Sequence, residues 1–241
     1  TPGGVLTIKS SDTARLTATD EARAVVESVT SIPSGAEDQV YVSVRRVIDG
    51  STVRHIEFIK TIEFGDDVTD AFFVDSGLTY DSTATSTITG LNHLEGEVVS
   101  ILADGATHPD RTVSAGAITL DRSASKVHVG YGYSSVLETL RIEAGADDGV
   151  AQGKIKRIHG VTARLYKTVG VEFGPDLSNL DRLPFRDSSM AMDEAIPIFT
   201  GDKEVYFPSG YENDARVVVR QIQPLPMTVL AIMRRSNTFD A

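Results

Sequence analysis

The sequence predicts an all-β fold of antiparallel meanders, and three stretches carry that expectation. Residues 39–48 (QVYVSVRRVI) set Val40, Val42 and Val44 on one parity against Tyr41, Ser43 and Arg45 on the other. Asp49–Gly50 follows, then 51–60 (STVRHIEFIK), the spacing and turn chemistry of a β-hairpin. In Asp75–Tyr133, short apolar segments each meet a turn signal: Asp104–Gly105 after VVSILA, Ala115–Gly116 before AITL, and Asp121–Lys126 before VHVGY. In Lys154–Phe173, Val161, Ala163 and Leu165 alternate with Thr162, Arg164 and Tyr166, which suits one long strand with Gly160 as a bulge or bend.

Taken from the N-terminus, VLTIKS (5–10) and RAVVESVTSI (23–32) are expected strands. Val25, Val26 and Val29 favour extended structure there over a helical turn, because β-branched side chains pack well on a pleated surface. The hairpin at 39–60 comes next, and the polar stretch Gly65–Asp70 reads as a boundary before the meander. Ser134–Glu143 contains a capping-box pair, Ser135 and Glu138, but Val136, Glu138, Leu140 and Ile142 alternate with Leu137, Thr139 and Arg141, so a strand is expected. Glu143–Gly153 is a second small-residue break, and the polar Gly174–Met192 is expected to be a long loop. IPIFTG and KEVYFPSGY read as short strands. ARVVVRQ (215–221) and MTVLAIMRR (227–235) flank Pro224-Leu225-Pro226, which lies at an edge or between two strands because proline donates no ladder bond. The division expected is N-terminal strands at 1–65, a barrel-like meander domain at 66–133 and a β-rich platform at 134–241.

Composition narrows the chemistry. The chain has 241 residues and no cysteine, which removes disulfides, thiolate catalysis and Cys-based zinc sites. No apolar run approaches the ~20 residues that cross a bilayer as a helix. A net charge of −11 is unlike a sequence-specific DNA binder, whose affinity comes largely from neutralised phosphates. It suits a solubilising surface, or one past which nucleic acid slides without sticking. The chain opens at Thr1 rather than Met and is expected to be a processed, engineered or partial product.

Candidate reactive groups are sparse. The histidines are His55, His93, His108, His128 and His159; none forms an i, i+4 pair on a helix, and His55 and His128 sit in expected strands as hydrogen-bonded structural residues. His108, in an expected loop, could pair with Asp104 or Asp110 about a metal but has no second His or Cys near it in sequence. Asp66, Asp67 and Asp70, and Asp147 with Asp148, are acidic clusters without EF-hand spacing and read as solvated turn acids. Ser188 and Ser189 lack a GxSxG elbow, and Asp193 and Glu194 are adjacent, so they point apart on a strand and cannot flank one glycosidic bond. There is no P-loop or GxGxxG motif, and no tryptophan for a carbohydrate platform. Lys154, Lys156 and Arg157, with Arg234 and Arg235, are expected as strand-edge charges that block wrong pairing or as inter-subunit ion-pair partners. No catalytic, cofactor-binding or metal residue is assigned.

Seven segments in order carry a family resemblance: DAFFVDSGLTYD (70–81), TITGLNHLEGEVVSILADGATHP (87–109), ITLDRSASKVHVGYGYSSVLETL (118–140), VTARLYKTVG (161–170), LPFRDSS (183–189), FTGDKEVYFPSGY (199–211) and VVVRQIQPLPMTVLAIM (217–233). From first to last they span about two-thirds of the chain, which resembles the nozzle (tail tubular protein B, or stabilisation protein) of short-tailed bacteriophages. The resemblance implies a virion protein of the tail. Such subunits form a six-membered ring at the distal end, line a channel through which the genome leaves, bind the adaptor ring above and contact fibres or tailspikes at the side. It implies a β-propeller, a barrel-like insertion and a β-rich platform. This chain is too short for the propeller and has room for one partial blade at Val5–Lys60. The family pattern brings no catalytic residue and no cofactor.

The sequence reading is therefore a structural subunit of a homo-oligomeric ring, with DNA passing without specific binding and some of Asp66, Asp67, Asp147 and Asp148 facing the hole. Two other classes stay open at this point: a secreted β-sandwich module that binds a glycan or protein, and a wall-degrading hydrolase.

Overall fold

The structure, a computed structural model, describes residues 25–35, 37–48, 50–60, 62–141, 143, 153–186, 188–190, 195–207 and 209–239. The expected strand at 5–10 and the acids Asp147, Asp148, Asp193 and Glu194 lie outside these residues. The fold is nearly all β, in four antiparallel sheets. Contacts gather the described residues into two compact units, one holding residues 25–64 and Phe72–Ser134, the other Gly65–Ala71 and residues 135–239. The sequence boundary at 133/134 falls at this junction. The one at 65/66 falls at Gly65–Ala71, which packs with the second unit, whereas the N-terminal strands and the meander share the first.

The first unit begins with β1 (Val25–Ser34), β2 (Glu37–Ile48) and β3 (Ser51–Phe58) in the order β1-β2-β3. The β2–β3 register, Ile48 opposite Ser51 through Tyr41 opposite Phe58, is the hairpin expected from the alternation, with Gly50 at φ 71° in its turn. Its second sheet comprises β4 (Asp75–Thr89), β5 (Val98–Ala103), β6 (Ala106–Thr112) and β7 (Ala117–Tyr131), ordered β4-β7-β5-β6. Asp104 and Gly105 both have positive φ (48° and 74°), as do Ala115 and Gly116 (52° and 65°), so both turns have the backbone that matches strand twist. A carboxylate fastens a backbone pair near each: Asp104 accepts from the N–H groups of Ser125 and Lys126, and Glu95 from those of Ala115 and Gly116.

The expected turn at Asp121–Lys126 is instead continuous strand within β7. The pairing of β4 with β7 is irregular there: β4 holds the extra residues between Asp81 and Thr85, and β7 holds them between Thr119 and Ala124. His108 lies in β6 rather than a loop; a register shift beside Pro109 accommodates the missing donor within this edge strand. The second half of β7 pairs with β5, while β6 reaches its first half by side chains: Arg111 Nε donates to Thr119 O, and Asp121 N–H donates to His108 Nε2. These bonds tie β6 to the first half of β7, and the unit's core gathers Ile88, Leu91, Leu94, Val99, Ile101, Val113 and Val127.

In the second unit, β8 (Ser135–Glu138), β10 (Glu172–Asp176), β11 (Asn179–Arg182) and β13 (Val218–Gln221) form a sheet ordered β11-β10-β13-β8. The second sheet has β9 (Ile155–Thr168) between β12 (Phe199–Val205) and β14 (Val229–Phe239). β8 is a strand, as its alternation predicts. The expected loop at Gly174–Met192 is partly a β10–β11 hairpin, closed by Asp176, which accepts from the N–H groups of Ser178 and Asn179. Those bonds, the Asn179 side chain first, hold the Asp176 carboxyl below its ordinary range. The expected separate strands IPIFTG and KEVYFPSGY contribute to one strand, β12. The Pro224–Pro226 kink joins β13 to β14. Val161, Ala163 and Leu165 enter a core with Phe173, Val205, Val217 and Val219.

Candidate functional site

A polar cluster in the first unit lies where the β1–β2–β3 sheet meets the start of β4. Arg46 shares the parity of Val40, Val42 and Val44, so strand geometry turns it inward, where it is buried. Its guanidinium contacts both carboxylate oxygens of Glu57 on β3 (3.0 and 3.2 Å from Nη2) and also donates to Ser76 Oγ. Ser76 Oγ donates in turn to Glu57 (2.7 Å). Ser76 adopts φ 47° within the bulged opening of β4. Its carbonyl accepts from His93 Nε2 at 2.8 Å.

His55 lies edge-on to His93, with ring centroids 6.1 Å apart, and its buried Nε2 has no hydrogen-bond partner among the described residues. Arg46 also lies 5.5 Å from the centre of the Tyr131 ring. Burial pushes the Asp75 carboxyl up while Arg46 pulls it down; Tyr133 is pushed up to about 12, by burial first and then by the Asp75 charge. Asp75 and Tyr133 keep part of their surface in water. The paired guanidinium and carboxylate, with a hydroxyl bridging them, make this arrangement a joint between two sheets.

Two of the remaining histidines have structural partners. His128 is buried, with Nδ1 2.8 Å from Thr79 Oγ1 and Phe72 edge-on to its ring. His108 donates from Nδ1 to Pro109 O and accepts the Asp121 N–H at Nε2, so both nitrogens are engaged within the β6–β7 contact. Ser100, rather than His108, contacts Asp110 (3.1 Å). His159 lies on the exposed parity of β9.

Asp66 pairs with Lys167 at 2.9 Å while its own side chain is 94% exposed. Asp67 caps a short 3-10 turn, Val68–Asp70, by accepting from Thr69 N–H. Ser188 and Ser189 lie in a turn. Among the described residues, no group of three His, Asp or Glu side chains is placed to hold a metal ion. No helix among them is long and apolar enough to cross a membrane.

Of the basic clusters, Arg234 and Arg235 lie exposed on the edge strand β14, as expected of strand-edge charges, whereas Lys156 does not. Lys156 is 1% exposed, and its ammonium donates to Asn213 O. Arg157 stacks over Tyr211. Arg234 donates to Thr139 Oγ1 and Leu140 O. Arg235, on β14, ion-pairs with Glu204 on β12, so its guanidinium crosses the central strand β9. A Cβ on Gly160 would come within 2.7 Å of that guanidinium, and β9 bulges there against β14. The glycine therefore leaves room for a cationic strap across three strands. Arg164 spans β9 and β12 similarly to Asp202, whose hydrogen bond lowers the Asp202 pKa.

Sequence reasoning missed Arg46 and Lys156 as inward-facing residues. The available signal was parity: each charge falls in step with buried apolar neighbours, Val44 and Ile158. The chain matches no family model and no curated protein.

Proposed function

We propose that this chain is a structural wall subunit, of the kind that forms the nozzle ring of a short phage tail and part of its DNA ejection channel. The reading begins with the ordered segments that resemble such nozzles. What supports it is the use of polar side chains as braces: Arg46–Glu57, Arg111–Asp121, Arg164–Asp202 and Arg235–Glu204 each tie one strand to another. Its mechanism is mechanical. Paired strands make stiff walls, symmetric copies close a ring, and acidic side chains at the hole repel phosphate so that DNA keeps moving. Asp66, almost wholly exposed with Lys167 as its ion-pair partner, and Asp67 are the described acids of the set proposed to face the hole.

Electron microscopy of the purified protein tests the proposal. A ring with a central hole is expected, and isolated single subunits would contradict it. In an assembled tail, Asp66→Lys is expected to slow genome release; unchanged ejection kinetics would remove Asp66 from the channel.

A further inference from the structure

The ladder of β6 runs to β5, so its seam with the first half of β7 is held by side chains. Arg111 Nε donates to Thr119 O, Arg111 Nη2 donates to Asp121 Oδ1 at 2.5 Å, and His108 Nε2 accepts the Asp121 N–H at 2.9 Å. The guanidinium keeps its charge at every ordinary pH, whereas the imidazole does not. The His108 side chain is 4% exposed, so the seam itself supplies its partners.

Those partners fix the state of the ring. A carbonyl only accepts, so Pro109 O, 2.7 Å from Nδ1, requires a proton on Nδ1. A backbone N–H only donates, so Asp121 requires a lone pair on Nε2. The neutral Nδ1–H tautomer alone meets both demands. A protonated ring carries a hydrogen on each nitrogen and sets donor against donor at Nε2. Imidazole is the side chain whose charge ordinarily changes between about pH 5 and 8. An acceptor for the added hydrogen stands close by, because Asp121 Oδ2 lies 3.4 Å from Nε2.

The charged groups around the ring favour that acceptor. Arg111 holds Asp121 Oδ1 and leaves Oδ2 toward the histidine. On β6, Asp110 accepts from Ser100 of β5, and in the β5–β6 turn Asp104 accepts from the Ser125 and Lys126 N–H groups. Arg122, beside Asp121 on β7, donates to Ala103 O. Of these carboxylates, Asp121 is the one that pairs with the ring.

We infer that His108 is a proton-operated catch on the β6–β7 seam: neutral, it holds the Asp121 backbone N–H; protonated, it releases that N–H and grips the Asp121 carboxylate, which it then shares with Arg111. Acid thus turns a backbone hold into one that rests on a side chain 65% exposed to water, where ion pairs are weak.

Nuclear magnetic resonance of the full chain, labelled with ¹⁵N and ¹³C, tests the catch. At about pH 8 the ring is expected as the Nδ1–H tautomer, with a scalar coupling between Asp121 N and His108 Nε2 across their hydrogen bond. An Nε2–H tautomer, or no coupling, would overturn the inference. On acidification to about pH 5 the coupling is expected to vanish, while the Asp121 amide proton moves upfield and the Asp121 carboxyl carbon shifts along the same curve as the ring. A coupling that persists, or Asp121 signals that do not follow the ring, would overturn it. His108→Gln offers an amide oxygen that accepts without titrating, so its Asp121 amide proton is expected to stay still over the same range. If that signal still moves, another group is the sensor and the inference fails. The wild-type titration decides the matter alone if the variant does not fold.

Discussion

β1 and β5 are both rich in valine and isoleucine and both belong to the first unit, yet they meet opposite environments. In β5, Val99, Ile101, Leu102 and Ala103 are all buried, with layers against both of its faces. In β1, every residue after Val25 is exposed, including Val26, Val29 and Ile32. Strand character therefore follows from local side-chain shape, whereas burial follows from what the chain later stacks on each face. A strand that no described element covers relies on its ladder and its ion pairs.

The largest effect expected from this contrast is a core truncation. Ile101→Ala should cost about 2–5 kcal/mol in urea unfolding, through lost burial and the cavity left behind. Val29→Ala should stay within about 0.5 kcal/mol. Equal losses would break the comparison.

Close backbone approach gives the next effect. A Cβ at Gly130 would stand 2.6 Å from Asp75 O and 2.7 Å from Gly77 Cα, where β4 and β7 meet. Gly130→Ala should cost about 1–3 kcal/mol by overpacking. Gly35→Ala, where nothing lies within 4 Å, involves only a left-handed backbone penalty at φ 66°. Thermal unfolding of the two variants separates crowding from backbone strain.

Within the first sheet, the inward and outward charges should differ. Arg46→Ala strands the partly buried Glu57 carboxylate and should cost about 2 kcal/mol by chemical denaturation. Arg54→Ala should cost far less, because water replaces its exposed partner.

The smallest effect is a pH dependence. Hydrogen bonding from Arg54 is the chief cause that holds Glu27 below its ordinary value of 4.5, with Arg45 adding to the pull. A depressed folded pKa stabilises the folded state above the unfolded value, and that stabilisation is lost as pH falls through the folded pKa. Amide exchange in β1 and β3, corrected for intrinsic rates, should therefore quicken on acidification below about pH 4.5 before that in β5 and β7. Glu27→Gln should abolish the difference in onset.

Much of the fold was legible because alternation and Asp-Gly turns act locally. The β2–β3 hairpin, the strand at 155–168 with its irregular Gly160 and the Pro224–Pro226 junction needed nothing from distant sequence. The β10–β11 hairpin was hidden because its signal is a side-chain cap by Asp176, embedded in a polar stretch that resembles a loop. β6 was hidden by Pro109, whose missing donor is absorbed at a bulge on an edge strand.

The polar joint was half legible. Alternation placed Arg46 among valines, but its partner Glu57 lies across the hairpin and Ser76 enters through a bulge. No local pattern announces either contact. Likewise, Gly160 could be read as an irregularity, while its purpose depends on Arg235 reaching across β9 to Glu204, far away in sequence.

The account's central claim is that these sheets are walls of a multi-copy ring, and native mass tests it most directly. The account predicts a particle of six 25.9 kDa chains in mass photometry of the purified protein. A single species at 25.9 kDa across the accessible concentration range would contradict it.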